Sequence, residues 1–134
     1  MITGLAHVCF DVKDLEASIR FYQDQLGLRP GFDFRNTIGE RFGIYLHFGE
    51  RTFLELFQAD DIAPVGKPSF QHICLEVDDI NATVAQLRAN GVTVSDPELG
   101  SDQSWQAWLA DPDGNRIELH AYTPESKQLA ALKG

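Results

Sequence analysis

His7-Val8-Cys9-Phe10-Asp11-Val12-Lys13-Asp14-Leu15 and His72-Ile73-Cys74-Leu75-Glu76-Val77-Asp78-Asp79-Ile80 read as one segment written twice, 65 residues apart. His, Cys, an acid and Asp recur at matching positions, and every apolar residue between them is answered by another. The match continues in Ala17-Ser18-Ile19 against Ala82-Thr83-Val84, and in Leu54-Glu55-Leu56 against Ile117-Glu118-Leu119 at an offset of 63. Self-similarity of this kind marks two copies of one supersecondary unit.

Within each copy the opening segment alternates. Val8, Phe10 and Val12 (Ile73, Leu75 and Val77) fall on one face of a strand, and His7, Cys9 and Asp11 (His72, Cys74 and Glu76) on the other. Asp14 or Asp79 then stands as N-cap of a helix with apolar residues at helical spacing, Leu15, Ile19, Tyr22 and Leu26 in the first copy and Ile80, Val84 and Leu87 in the second. Gly27 and Gly91 supply the stops. The patterning predicts further strands over 31–36, 42–48 and 52–58, and over 92–97, 104–110 and 115–121. Turns at Gly49-Glu50-Arg51 and Asp111-Pro112-Asp113-Gly114 precede the two glutamate-bearing strands.

The fold class is therefore α+β, two tandem βαβββ modules. They occupy about 1–58 and 69–121 of a single domain spanning 1–134, with a linker over 59–68 and a tail helix within 122–134, starting near Pro124.

Composition narrows the function. The chain has 134 residues, 43% of them hydrophobic, which suits one soluble globular domain. Eleven Lys and Arg, scattered along the chain, face twenty Asp and Glu for a net charge of −9. A field of that sign repels phosphate backbones, so no nucleic-acid partner is expected. No apolar run is long enough to span a bilayer and no signal-peptide pattern opens the sequence, so we expect a cytoplasmic, unprocessed protein with no membrane partner. Two cysteines, Cys9 and Cys74, each inside a strand pattern, are expected as reduced thiols.

The repeat also delivers chemistry. His opens the first strand and Glu sits on the last strand of both copies, giving His7, Glu55, His72 and Glu118 as candidate metal ligands. Glu55 shares a strand face with Phe53 and Phe57, and an ionised carboxylate among apolar groups is costly unless a cation or metal compensates it. Glu118 is flanked on its face by Arg116 and His120, so Arg116 is a possible neutralising partner there. Two imidazoles and two carboxylates form an N/O donor set that suits Zn, Ni, Co, Mn or ferrous Fe, one ion for the four ligands, and lacks the thiolates of a closed structural zinc site. Such a site is expected to be catalytic, with open positions for two oxygens of a small-molecule substrate.

The chain resembles the vicinal oxygen chelate superfamily and, within it, glyoxalase I, the lactoylglutathione lyase. The resemblance rests on His7 followed by Asp14-Leu15 and Phe21-Tyr22-Gln23-Asp24-Gln25-Leu26-Gly27-Leu28, on Phe53-Leu54-Glu55-Leu56, on His72 with its strand, and on Asp111-Pro112-Asp113-Gly114-Asn115-Arg116-Ile117-Glu118-Leu119. It implies a curved-sheet cup around the metal, a homodimer, and a metal-dependent lyase or isomerase with Glu55 and Glu118 as catalytic residues. Glu118 would serve both as ligand and as proton-transfer base. Ni and Zn are the favoured ions, and the short chain without inserts resembles the nickel- or cobalt-preferring bacterial form. Where glyoxalase I commonly has an Arg for a glutathione carboxylate, four residues after the first His, this chain has Asp11, and the stretch Gly100 to Trp108 lacks any Lys or Arg. The resemblance thus points to a small carbonyl or hydroxy-carbonyl substrate that is not glutathione-linked, with Asp11, Phe53 and Trp105 as substrate-contact candidates. The alternatives are a metal-free sequestering protein like the bleomycin-resistance members, which the −9 charge would suit, and an epimerase or ring-cleaving dioxygenase relative.

Overall fold

The computed structural model describes residues 1, 4–62 and 70–133. The chain divides into two compact units, Met1–Gly66 and Lys67–Gly134. Of the expected linker, 63–68 lies outside the described residues, as do residue 69, where the second module was expected to begin, and the last residue of the tail.

Each unit is a βαβββ module. The first runs β1 (His7–Val12), α1 (Leu15–Ile19), β2 (Arg29–Arg35), β3 (Arg41–Gly49) and β4 (Thr52–Gln58), in the sheet order β1-β4-β3-β2. The second runs β5 (His72–Glu76), α2 (Ile80–Ala89), β6 (Glu98–Leu99), β7 (Trp105–Ala110) and β8 (Arg116–Ala121), in the order β5-β8-β7-β6. The opening strand pairs parallel with the last strand of its module, and the remaining pairs are antiparallel.

The helices form where the capping chemistry places them. Asp14 accepts a hydrogen bond from the Ala17 N–H and Asp79 one from the Ala82 N–H, each at 3.0 Å. Gly27 and Gly91, at φ of +85° and +83°, end them in the left-handed conformation that only glycine adopts without strain. The two helices differ inside. Thirteen positions separate Asp14 from Gly27 but twelve separate Asp79 from Gly91. The additional residue is absorbed by a π-helical turn, Arg20–Gln25, that continues α1, with the Leu26 N–H reaching the Phe21 carbonyl at 2.8 Å. Helix α2 instead closes with the Gly91 N–H on the Arg88 carbonyl and the Val92 N–H on that of Leu87.

One face of each sheet is aliphatic and buried. Val12, Ile44, Leu46, Leu54 and Leu56 pair this face with Leu15, Ile19 and Tyr22 in module 1, while Ala107, Leu109, Ile117 and Leu119 do so with Ile80, Val84 and Leu87 in module 2. Fully burying a Leu or Ile contributes about 1.5–3 kcal/mol, so this packing is what holds each helix to its sheet.

Two expected elements shift. Residues 92–97 alternate in burial, Val92 and Val94 inward, yet they are not a strand; the strand is the short β6 beyond them. Ser95 makes the contact with β7 instead, its N–H donating to the Trp108 carbonyl at 2.9 Å and its Oγ accepting from the Trp108 N–H at 2.8 Å. Pro97 has no N–H to extend a ladder. The tail helix, α3 (Lys127–Leu132), begins three residues after Pro124, because Ser126 is engaged with the Thr123 N–H at 2.8 Å and with the hydroxyl of Ser104 at 2.7 Å. Among the described residues no helix is long and apolar enough to cross a membrane.

Candidate metal half-sites

Strand pairing decides which side chains meet. In module 1 Cys9 lies opposite Glu55 and His7 opposite Phe53, so His7, Cys9 and Asp11 share the sheet face of Glu55, away from the helix. His7 Nε2 is 3.7 Å from Glu55 Oε1. Strand β3 adds Tyr45 directly across from Glu55. The Cys9 thiol and the Tyr45 hydroxyl both hydrogen-bond the Glu55 carboxylate. Partial burial, then that hydrogen bond and the carboxylate's charge, push the Cys9 thiol up to about 11, and Tyr45 is raised by desolvation and then by Glu55.

Module 2 repeats the pattern more tightly. His72 Nε2 is 3.1 Å from Glu118 Oε2, and Glu118 is buried. The Nδ1 of His72 lies 2.6 Å from Gln71 Oε1, an acceptor, so Nδ1 is the donor there. The Nε2 that faces the Glu118 carboxylate oxygen is then the ring nitrogen left to bind a cation, a proton or a metal ion. An outer hydrogen bond on the far nitrogen is the usual way a ligating imidazole is oriented. The donor set therefore fits a divalent ion.

A third imidazole completes this half. His120 Nδ1 is 3.2 Å from Glu118 Oε1, while its Nε2 is buried without a hydrogen-bond partner, 3.8 Å from Asp102 Oδ2. Asp102 is held by the Gln128 amide at 2.6 Å and the Ser104 N–H at 3.0 Å, contacts that keep its carboxyl below the usual range, with the His120 ring adding to the effect. The Cys74 thiol, hydrogen-bonded to Glu118, is pushed up to about 12 by burial and then by that carboxylate. Cys74, Glu118 and His120 bring ligand atoms within 4.8 Å of one another, a possible ligand group in this module. Both cysteines are free thiols, as expected.

The expected residues distribute as follows. His7 pairs with Glu55, and His72 with Glu118, inside their own modules. Asp11 is exposed on the Glu55 face, in register with Phe57, and Phe53 shares that face, its ring against Tyr45 and His47. Trp105 is not brought to the Glu118 face. It pairs with Ala121, in the parity of the buried Leu119 and Ile117, whereas Trp108 lies opposite Glu118 and meets the His72 ring edge-on at 4.9 Å. Arg116, considered as a partner for Glu118, lies over the Trp108 ring, 4.4 Å from its centroid. Sequence reasoning missed His120 and Trp108 as site residues. His120, two residues beyond Glu118 on one strand, carried a usable parity signal; Trp108 did not until the β7–β8 register was known.

Each of the two βαβββ modules has a His at the head of its first strand facing a Glu on its last, so the fold carries its candidate ligand pair in duplicate. The chain belongs to the glyoxalase/bleomycin resistance protein/dioxygenase superfamily, whose family model matches residues 4–119. It is 34% identical over 128 residues to the metallothiol transferase FosB of Staphylococcus epidermidis, covering 91% of this chain and 84% of that protein. It is 31% identical to the lactoylglutathione lyase of Haemophilus influenzae, covering 86% of this chain and 90% of that one. Among solved structures, TnmS3, an antibiotic binding protein from Streptomyces sp. CB03234, superimposes with a TM-score of 0.73 at 28% identity, covering 91% of this chain and 98% of that one. The family thus holds enzymes and a binder, and the fold alone does not choose between them.

Proposed function

We propose that the chain is a metal-dependent lyase or isomerase of the glyoxalase I type, acting on a small carbonyl or hydroxy-carbonyl compound that is not glutathione-linked. The observation that carries the reading is the His72 Nε2 to Glu118 Oε2 approach at 3.1 Å with Nδ1 already engaged, repeated more loosely as His7 and Glu55. His7, Glu55, His72 and Glu118 together would hold one divalent ion, Ni or Zn by preference and Co, Mn or Fe within range of the donors. Bound there, the ion would supply Lewis-acid polarisation of a substrate oxygen.

Glu118 takes the proton from the carbon beside the carbonyl and returns it to the neighbouring carbon. His120 steadies the oxygen of Glu118 that does not face His72. Asp11, exposed on the Glu55 face, repels a carboxylate-bearing substrate and accepts from a hydroxyl or amine. A homodimer, cytoplasmic location and a small-molecule partner belong to the same proposal.

Proton exchange tests it without knowledge of the natural substrate. Metal-supplemented protein in deuterated water is expected to exchange the α-hydrogens of hydroxyacetone or a 2-oxo aldehyde hydrate, seen by proton NMR, and Glu118→Gln to abolish the exchange. The methylglyoxal–glutathione hemithioacetal is expected to turn over weakly. No exchange with any of the five metals would refute the reading.

The FosB identity favours a second reading, metal-dependent thiol transfer, which the same assay separates by giving thiol adducts without exchange. The antibiotic-binding relative favours a third, metal-free sequestration, which metal analysis separates.

A further inference from the structure

The two modules support their glutamates differently. At the offset of 63 that aligns Glu55 with Glu118, His120 stands where module 1 has Phe57. The His120 ring, 6% exposed, lies between two carboxylates, with Nδ1 3.2 Å from Glu118 Oε1 and Nε2 3.8 Å from Asp102 Oδ2. That Nε2 is buried and has no hydrogen-bond partner among the described residues. Glu76 and Gln106 are level with His120 on the neighbouring strands, and the Tyr122 ring meets it edge-on at 4.9 Å. Asp102 closes the side of the ring opposite Glu118.

Asp102 reaches that position because its loop, 100–104, is fastened to the chain beyond β8. The Thr123 hydroxyl donates to the Gln103 carbonyl at 2.6 Å, the Lys127 N–H to the Asp102 carbonyl at 2.9 Å and the Gln128 amide to Asp102 Oδ2 at 2.6 Å. The buried hydroxyls of Ser104 and Ser126 lie 2.7 Å apart. The remaining carboxylate oxygen, Oδ1, accepts from the Ser104 N–H at 3.0 Å. Gly100 leaves it room, since a Cβ there would lie 2.9 Å from that oxygen. Gln103 sits at a φ of +67°, a left-handed conformation that is costly for a residue with a Cβ, so the surrounding bonds impose the shape of this loop. The β2–β3 loop of module 1 instead closes on itself, with Asn36 Oδ1 accepting from the N–H groups of Ile38 and Glu40.

We propose that Asp102 is a positioning residue: held by the tail through Gln128, it keeps the His120 ring against Glu118, and His120 in turn fixes the Glu118 carboxylate with Oε2 toward His72. This rests on the reading of Glu118 as ligand and base, and it makes the segment 123–128 beyond the last strand part of what orients that residue. A brace of this kind acts only through His120. Its removal is expected to cost no more than removal of His120 itself, and the two losses do not add.

Two measurements on the full chain test it. Ni or Zn affinity, read by competition with a chromogenic chelator, is expected to fall about tenfold in Asp102→Ala and about threefold in Gln128→Ala. Adding Asp102→Ala to His120→Ala should change it less than about twofold, and Asp102→Asn, which keeps an acceptor for the Gln128 amide, should recover part of the loss. In metal-free protein, long-range proton–nitrogen NMR of the histidine rings is expected to show the His120 nitrogens shifted in Asp102→Ala and in Gln128→Ala, with those of His7 and His47 unmoved. Gln128→Ala removes a single contact from a half-buried helix position and decides the matter should Asp102→Ala not fold. An affinity loss of the same size with and without His120, or His120 signals unmoved in the folded variants, overturns the proposal, because Asp102 then only closes its loop. Wild-type protein that takes up no ion, with the His120 signals still moved in the variants, removes the metal reading and leaves the brace. Normal ion uptake with those signals unmoved removes the brace and leaves the metal reading.

Discussion

Nδ1 of His120 lies 3.2 Å from Oε1 of Glu118, two residues earlier on β8, so one imidazole holds the oxygen of that carboxylate that does not face His72. Outer partners of this type usually change metal affinity ten- to a hundredfold. His120→Ala is expected to weaken Ni or Zn binding by about that factor, and His120→Gln, whose amide can donate to the same oxygen, to recover part of it. Competition with a chromogenic chelator reads the affinity. A change of less than twofold in His120→Ala would show that Glu118 orients itself.

The thiols should be inert despite their access to solvent. Cys9 and Cys74 are exposed by area but pushed up to about 11 and about 12 from 9.0, by partial burial of the sulfur first and the adjacent carboxylates next. In metal-free protein at pH 8, alkylation by iodoacetamide is expected to run roughly one to two orders of magnitude slower than for a free cysteine. Because the folded values are raised, the folded state holds these protons longer than the unfolded chain. Their contribution to stability is present below about pH 9 and is lost as pH rises toward 11 to 12. Cys74→Ala should therefore lose less of its urea midpoint than wild type between pH 8 and pH 10.5. Alkylation at the rate of free cysteine would contradict the assignment.

Gly43 is a packing glycine. A Cβ there would lie 2.6 and 2.7 Å from ring carbons of Phe57 and 3.0 Å from Phe34, in a face where both rings are held by neighbours. Gly43→Ala is expected to cost about 1–3 kcal/mol in urea unfolding, the usual range for overpacking. An unchanged midpoint would mean that the rings are free to swing aside.

Asp111 organises the turn into β8. Its buried carboxylate accepts from the N–H groups of Asp113 and Asn115 at 2.9 and 2.8 Å and from the Asn115 side-chain amide at 2.8 Å. Asp111→Ala leaves those donors without their acceptor and is expected to cost about 2–4 kcal/mol, with Asp111→Asn intermediate. Denaturant titration checks the order of the three proteins, and equal stability of Asp111→Ala and wild type would exclude the role.

What could be read from the sequence was whatever the repeat states twice: the opening strands, the Asp14 and Asp79 caps, the Gly27 and Gly91 stops, and the strands bearing Glu55 and Glu118. Features present in one copy only were harder. The π-helical turn follows from a single additional residue between cap and stop, legible only when the two helices are counted against each other. Trp105 and Trp108 differ by three positions and so by face, and choosing between them needs the register of β7 on β8, which a one-residue slip inverts. Residues 92–97 alternate like a strand because Val92 and Val94 are buried, but alternation reports burial and not pairing. Arg116 beside Glu118 suggested an ion pair, and the Trp108 ring across the strand took it instead.

The central claim is that the two His/Glu pairs act together on one ion. Elemental analysis and titration of chelator-free protein with Ni or Zn test it most directly, in wild type, in His7→Ala/Glu55→Gln and in His72→Ala/Glu118→Gln. The account predicts one ion per chain in the wild type and loss of tight binding in both double variants. Wild-type protein that takes up no ion, or a variant lacking one module's pair that binds as tightly as wild type, would contradict it.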